Sequence, residues 1–389
     1  MKSFLIIAKR EIRLLFHNKS IFLFAVVLPF ISILFFNTLL SEGVARDLPI
    51  AVVDLDNSSF SRNIIQQLNA TPEIDVSYKP ISQLEGEQLI KQLKVYGLLT
   101  IPKNFGSDLT RGKQVQILNQ YNSSLLLPSG LVNKAVKNTI GTLSANINIQ
   151  KQLKKGIYIK QALVNFQPIT SNNHILSNPY TNYSYYLNSG FLTLFFQIFV
   201  ILTTIYCFGS DLKYNKGEKL YSIGNGNLFS IILGKILPYT LWFFLVGLIM
   251  YYSMFVFQDF PIFGSKCVVL LALLLLTIST QAMAVFFISR SKSFRESLTY
   301  GSGFAAISLS FSGITFPIFG MPKILQWLSQ IFPFTHFFEL FLDQTQRGFP
   351  IFYSIKSIVI LVVITIIPLL IASKKLRVLL KQGSFLQRT

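Results

Sequence analysis

Cysteine is nearly absent, with two residues, Cys207 and Cys267, among 389. Both lie inside or at the ends of apolar runs, with no CxxC spacing and no neighbouring histidine. That pattern argues against a disulfide framework, a zinc site or thiol redox chemistry, and small buried apolar residues need no further role. Histidine is as scarce: His17, His174 and His336 are far apart in the sequence, and none belongs to an HExxH pattern or has a carboxylate partner, so the usual metalloenzyme signatures are missing. No G-x-x-x-x-G-K-[ST] segment occurs, which excludes nucleotide binding through a P-loop. Gly224-Asn225-Gly226 is too short for a dinucleotide fingerprint and reads as a turn. Charge is the remaining scarcity, at 13% of residues against about 25% in soluble domains.

Apolar residues fill the gap. They make up 51% of the chain, with 37 phenylalanines, which points to lipid as the main solvent. A net charge of +19 could suggest nucleic acid. The charges instead sit at the ends of apolar segments and in one long polar insert, not on a single basic face, so no nucleic-acid partner is expected.

Residues 2–17 have helical period, with Leu5, Ala8, Ile12, Leu15 and Phe16 on one side and Lys2, Lys9, Arg10 and Arg13 on the other. Residues 1–20 are therefore expected to form an amphipathic helix in the headgroup plane. Residues 21–40 are uncharged for about twenty positions, enough to cross a bilayer core of roughly 30 Å. Pro29 is a candidate kink, and the long charged lead-in favours an uncleaved span over a signal peptide.

From 41 to 186 the character is that of a water-soluble domain. Strands are expected at 49–56, 74–78, 96–101 and 115–121, with helices at 60–68 and 85–93, a small α/β arrangement. Long helices follow over 129–165. Asp54 and Asp56, with Ser58 and Arg62, lie at the first strand-to-helix turn. The carboxylate pair could do acid and base work, or it could satisfy turn and N-cap amides. The cluster Tyr180, Tyr183, Tyr185 and Tyr186 then precedes the second span as an aromatic belt.

Five further spans are expected within 187–373, at 187–208, 229–255, 266–289, 298–319 and 351–373. An amphipathic segment at 321–350 lies in the interface. Gly313, Phe316, Pro317 and Pro322 mark a helix break that could shape a gate or be a plain structural kink. The spans are almost free of ionisable groups, which disfavours coupling to an ion gradient. Lys235 lies near the start of the third span, beside Gly234 and Pro238, where snorkelling to the interface would explain it.

Lysine and arginine near the spans number five in the lead-in, three in 209–228, three in 290–297 and five in the basic tail 374–389. The alternate loops hold none in 256–265 and two in 321–350. The positive-inside rule then places both termini in the cytoplasm and the α/β insert outside. The expected fold is an α-helical polytopic membrane protein with six transmembrane helices and an inserted extracytoplasmic α/β domain. The polar loop 209–228 becomes a solvated cytoplasmic hairpin, and a membrane protein with no engine of its own needs an external motor.

The whole chain resembles the type-2 family of ABC transporter permeases, in the subgroup with a large domain after the first span. The resemblance is carried in order by Ala8-Lys9-Arg10-Glu11 with Pro29, by Ile50 to Ser58 with Ser61-Arg62, and by Ile101 to Phe105 with Arg111-Gly112. It continues through Gly217-Glu218-Lys219-Leu220, Leu233 to Tyr239, and Gly313 with Phe316-Pro317, Met321-Pro322 and Leu325 to Leu328. The hairpin departs from the family's acidic Arg-Glu-x-Glu-x-Gly-Thr-Leu-Glu run, since this chain reads Asp211 to Leu220. The resemblance implies a half-transporter of a bacterial inner membrane. Such a chain pairs with a second copy or a related permease and seats a separate cytoplasmic ATPase, which binds ATP and magnesium; this chain itself binds no cofactor or metal and is not an enzyme. Arg10, Glu11, Gly217, Glu218 and Lys219 become candidates for contact with that motor. An extracytoplasmic adaptor and membrane lipid are further partners it allows. The implied activity is efflux of a hydrophobic or amphipathic substrate. Export of polysaccharide or another envelope component, and a membrane receptor or scaffold with an outer sensing domain, are the alternatives.

Overall fold

The computed structural model describes residues 2–167, 178 and 182–385. Tyr180 and His174, named above, and residues 386–389 of the basic tail lie outside the described residues. Most of the chain is helical, with one small mixed sheet. Two compact units emerge, one built from the chain up to Gly43 together with 178 and 182–385, the other from Val44 to 167.

Helix α1 spans Lys2–His17 and is followed by Asn18, whose side chain caps the next helix by accepting from the amides of Ser20 and Ile21 at 3.1 and 3.2 Å. Helix α2 (Lys19–Phe22) passes through a π-helical turn, Leu23–Val27, into α3 (Leu28–Leu39), so the first span is one continuous apolar helix. Pro29 has no N–H to offer the carbonyl of Ala25 four residues earlier. That carbonyl instead accepts the indole N–H of Trp242 at 2.8 Å, which pins the first span to the third.

In the second unit the order is β1 (Leu48–Asp54), α4 (Ser59–Asn69), β2 (Ile74–Tyr78), α5 (Gln83–Lys91), β3 (Gly97–Ile101), α6 (Phe105–Thr110), β4 (Leu118–Tyr121), α7 (Leu126–Lys154) and α8 (Ile159–Phe166). The sheet runs β2-β1-β3-β4, parallel except for the last pair. Central strands covered on both faces are mostly apolar, and β1 and β3 are apolar except for Asp54, which closes β1, and Thr100. Ile50, Val52, Leu99 and Ile101 pack with Leu68 of α4 and Val132 of α7 on one side, while Ala51, Val53 and Leu98 meet α5 on the other. Helix α6 had no counterpart in the sequence reading. It starts after Asn104, in left-handed backbone at φ 62°, and its Gly106 fits beneath Ser58, where a Cβ would lie 2.8 Å from the hydroxyl.

The chain returns through α9 (Tyr183–Lys213), the short α10 (Gly217–Ile223), α11 (Leu228–Tyr252) with a π-helical extension Ser253–Phe257, and α12 (Lys266–Arg290). After these come α13 (Phe294–Phe311), α14 (Lys323–Ser329), α15 (Pro333–Leu342) and α16 (Ile351–Gln382). Five helices among the described residues are long and apolar enough to cross a membrane: Lys19–Leu39, Tyr183–Lys213, Leu228–Phe257, Lys266–Arg290 and Ile351–Gln382. The second and fourth are 72% buried inside the protein whereas the first and last are 22% buried, so α9 and α12 form the centre and the other two present most of their surface outward.

Three expectations change. The segment read as a span at 298–319 is an 18-residue helix that stops at Phe311, because Ser312 and Gly313, the latter at φ 88°, turn the backbone before Pro317. Residues 321–350 do not all lie in an interface: α14 is exposed at Ile324 and Trp327, but α15 is buried from Phe334 to Phe338 and packs against α12 and α16. Residues 374–382 of the basic tail continue the last helix, with Leu376, Leu379 and Leu380 buried.

Truncating Leu68, which is fully buried under the sheet, to alanine should destabilise the second unit by about 2–5 kcal/mol. Faster hydrogen exchange at the β1 and β3 amides of the full-length chain, with exchange in α9 and α12 unchanged, is the expected result.

Candidate functional site

The N-terminal helix buries Ile7, Glu11 and Leu15, which are spaced four residues apart and so share one face. Leu5, Ile12 and Phe16, expected to share one apolar side with Leu15, are exposed whereas Leu15 is buried. Close approach explains the choice: Gly234 of α11 leaves room for Ile7, and a Cβ there would sit 2.9 Å from the Ile7 side chain and 3.2 Å from the Phe4 carbonyl. Glu11, the one acid in the first twenty residues, is thereby carried into the protein.

Four ionised side chains meet there. The Lys235 ammonium lies 2.8 Å from Glu11 Oε1 and 2.6 Å from Asp211 Oδ2. Arg10 closes the ring: one guanidinium nitrogen reaches Asp211 Oδ2 at 2.8 Å and Glu11 Oε1 at 3.0 Å, and the other pairs with Asp211 Oδ1. Glu11 Oε2 accepts from the Tyr239 hydroxyl at 3.3 Å and the Cys207 thiol at 3.4 Å. The face of Phe208 lies 5.2 Å from the ammonium. Glu11 and Lys235 are completely buried, and Arg10 is the one member with substantial exposure, at 30%. Burial works against the Arg10 charge, but the hydrogen bonds and negative charge of Asp211 outweigh it and hold the guanidinium above its ordinary pKa.

Two cations and two anions leave the cluster neutral, and the paired geometry offsets the large cost of removing each charge from water. Every carboxylate oxygen has a donor, so the cluster serves to hold rather than to react. It joins α1, the end of α9 and the second turn of α11. Snorkelling is therefore the wrong account of Lys235, which points inward to its partners. Glu11, a candidate for contact with a motor, has no exposed surface to offer one.

Between α9 and α11 hangs the short helix α10. Asn215, in left-handed backbone at φ 55°, makes the turn, and the Lys216 amide donates to the Asp211 carbonyl at 2.7 Å. Gly217 is buried at the head of α10, its amide donating to the Gly383 carbonyl at 3.1 Å; a Cβ there would lie 2.9 Å from that oxygen. Leu220 is buried as well, whereas Glu218 and Lys219 are exposed. Asn225 Nδ2 donates to Ser3 Oγ at 3.1 Å, and Lys381 lies over the Tyr221 ring. So α10 is wedged between both ends of the chain and turns two charged side chains outward.

The opposite ends of the same spans are tied by neutral groups. Gln258 accepts from Ser184 and Asn188, each at 2.6 Å, and donates to Asn37 Oδ1 at 2.8 Å. Of the other candidate residues, Pro238 sits inside α11 one turn beyond Gly234. Gly313 lies in the turn after α13, where Ile314 accepts the Tyr186 hydroxyl; Phe316 and Pro317 are exposed, and Pro322 caps α14. Asp54 and Asp56 serve the turn: Asp54 accepts from the amides of Asp56 and Asn57, each at 3.0 Å, and from Ser61 Oγ at 2.7 Å, and Asp56 accepts from the Gly106 amide at 2.9 Å. Ser58 caps α4, and Arg62 donates to the Asn57 carbonyl at 2.7 Å. The described residues include no grouping of three or more His, Cys, Asp or Glu able to hold a metal ion.

The sequence reading named Arg10, Glu11 and Lys235 separately and missed that they meet. Asp211, Cys207 and Tyr239 were not singled out as site residues. One signal was available: Glu11 interrupts the apolar spacing of Ile7 and Leu15, as an acid does when it has a buried partner.

Several apolar helices, a hairpin rooted in a buried ion cluster and an outward charged pair define a multi-pass membrane protein with a rigidly mounted polar contact. Residues 19–374 match the family described as ABC-2 family transporter protein. The chain belongs to that family, which makes it an ABC transporter permease and implies an ABC ATPase as partner. It is also similar to the linearmycin resistance permease protein LnrN of Bacillus subtilis (strain 168), at 22% identity over 350 residues that cover 86% of this chain and 88% of that one.

Replacing Lys235 with methionine leaves the cluster with net charge −1 and should cost about 3–5 kcal/mol. A lowered melting temperature in detergent is expected, with partial recovery in Lys235→Met combined with Glu11→Gln, which restores neutrality. A Cβ at Gly217 must displace the Gly383 backbone, so Gly217→Ala should cost about 1–3 kcal/mol, read as faster hydrogen exchange in α10 and at 380–385.

Proposed function

We propose that this chain is the membrane subunit of an ATP-driven exporter that moves a hydrophobic or amphipathic substrate out of a bacterial cell. The observation that carries this reading is the mounting of α10: Glu218 and Lys219 face outward from a helix whose buried side is wedged against both ends of the chain and rooted, through Asp211, in the ion cluster. A partner pressing on α10 moves α9, α11 and α1 together, because tearing the cluster apart would strand buried charges. The family's partnership with an ABC ATPase supports that ATPase, with its ATP and magnesium, as the partner. Arg10, partly exposed beside the cluster, belongs to the same contact; Glu11 acts behind it as a positioning residue.

Efflux of a small apolar compound is supported by the resistance function in the relative's name and by spans lined with apolar and small polar side chains. On this reading two permease chains pair, both termini and α10 face the cytoplasm, the unit from Val44 to 167 lies outside where an adaptor could meet it, and the break at Gly313, Phe316, Pro317 and Pro322 shapes the outer gate.

Glu218→Lys reverses the charge of an exposed residue without touching the core. It should leave expression and melting temperature unchanged while reducing substrate export per ATP hydrolysed to near background. Unchanged export by this variant would remove α10 from the coupling path. Purification of the tagged chain in mild detergent should recover a P-loop ATPase, and failure to recover one even after crosslinking in the membrane would favour a receptor or scaffold.

A further inference from the structure

Between the first and third spans lies a groove of about 480 Å³, lined by Phe30 of α3 and by Trp242, Leu245, Leu248, Ile249 and Tyr252 of α11. Its walls are apolar and face outward: Leu245, Ile249 and Tyr252 are each more than two-fifths exposed. The groove cannot collapse by side-chain rearrangement at its inner end, because the Trp242 indole is held on the Ala25 carbonyl. At that end Phe16, the last apolar residue of α1, packs edge-on against Trp242 at 5.8 Å. Beyond Phe16 the chemistry changes. Lys9, Arg13 and His17 repeat at four-residue spacing on one exposed face of α1, Lys19 begins the first span, and no acidic side chain is exposed in the first twenty residues.

We propose that this groove and the basic face of α1 together form a binding site for one anionic phospholipid. An acyl chain lies along Phe30, Leu245 and Ile249, and the phosphate headgroup sits at Lys9, Arg13 and Lys19. The groove runs on two membrane-spanning helices, so its natural solvent is a hydrocarbon chain. Charge complementarity selects the headgroup, since juxtamembrane lysines and arginines attract anionic lipid. A second copy of the chain is a poorer occupant: a two-fold contact about this groove would bring two equally basic α1 faces toward each other. The site stands whether or not α10 receives an ATPase.

Tryptophan makes the site readable, because the protein has two and only Trp242 lines the groove. In the full chain carrying Trp327→Phe, reconstituted into vesicles, phosphatidylglycerol brominated on its acyl chains should quench Trp242 at a lower mole fraction than phosphatidylcholine brominated at the same carbons. Each of Lys9→Gln, Arg13→Gln and Lys19→Gln should raise the mole fraction of brominated phosphatidylglycerol needed for half-maximal quenching by about fivefold. All three side chains are exposed, so these variants should fold. As a check needing no substitution of charge, high salt should abolish the preference in the Trp327→Phe protein itself. Equal quenching by the two lipids would reduce the groove to ordinary bilayer contact and overturn the proposal. Protection from both would mean that a protein segment covers it, and a preference that survives salt and charge removal would place the headgroup elsewhere; either result overturns the proposal too.

Discussion

Two positive and two negative side chains, all but Arg10 buried, organise the membrane unit. Lys235 cannot be buried without Glu11 and Asp211, and neither carboxylate can be buried without a cation. Arg10 and Glu11 come from α1, Asp211 from α9 and Lys235 from α11, so satisfying the charges requires these three helices to adopt one arrangement. Apolar packing alone tolerates sliding and repacking. Paired charges in low dielectric do not, because every partial displacement exposes an uncompensated ion. The cluster thus sets the register of three helices at the place where the α10 hairpin leaves them.

The far ends of the same spans are joined differently. Gln258, Asn188, Ser184 and Asn37 share neutral hydrogen bonds, which cost far less to exchange for other partners. About 35 Å of α9 separates Asn188 from Asp211 at 1.5 Å per residue. A helix fixed firmly at one end and loosely at the other is suited to act as a lever. On the proposed reading, force applied at α10 moves the clamped end as one body and appears as movement at the amide end. The break after α13 lies near that looser end, since Tyr186 reaches the Ile314 carbonyl there.

Small and ring-locked residues make these contacts possible by what they lack. Gly234 has no side chain to keep Ile7 away, and Gly217 none to keep the Gly383 backbone away. Pro29 lacks an N–H, which frees the Ala25 carbonyl for Trp242. Each absence is filled by a group from a distant part of the chain. The same Trp242 then forms the fixed wall of the groove between the first and third spans.

The sequence by itself determined the solvent and most of the secondary structure. Runs of about twenty apolar residues can only be helices in lipid, because every backbone N–H and C=O must find a partner inside the segment. Alternating strands and helices likewise made the α/β unit legible, down to Asp54, Asp56 and Ser58 at its first turn. It also carried the family resemblance, in short motifs distributed along the chain. Tertiary structure alone decided what the charges do. Lys235 looks like a span-end lysine when read locally, since nothing in its own helix marks an inward rotamer; its partners are 24 and 224 residues away. The burial of α15 was hidden for the same reason, because a short phenylalanine-rich helix can face lipid, headgroups or other helices, and only the neighbours α12 and α16 settle which. Local pattern fixes the period of an element, while the choice of face depends on what the rest of the chain brings to it.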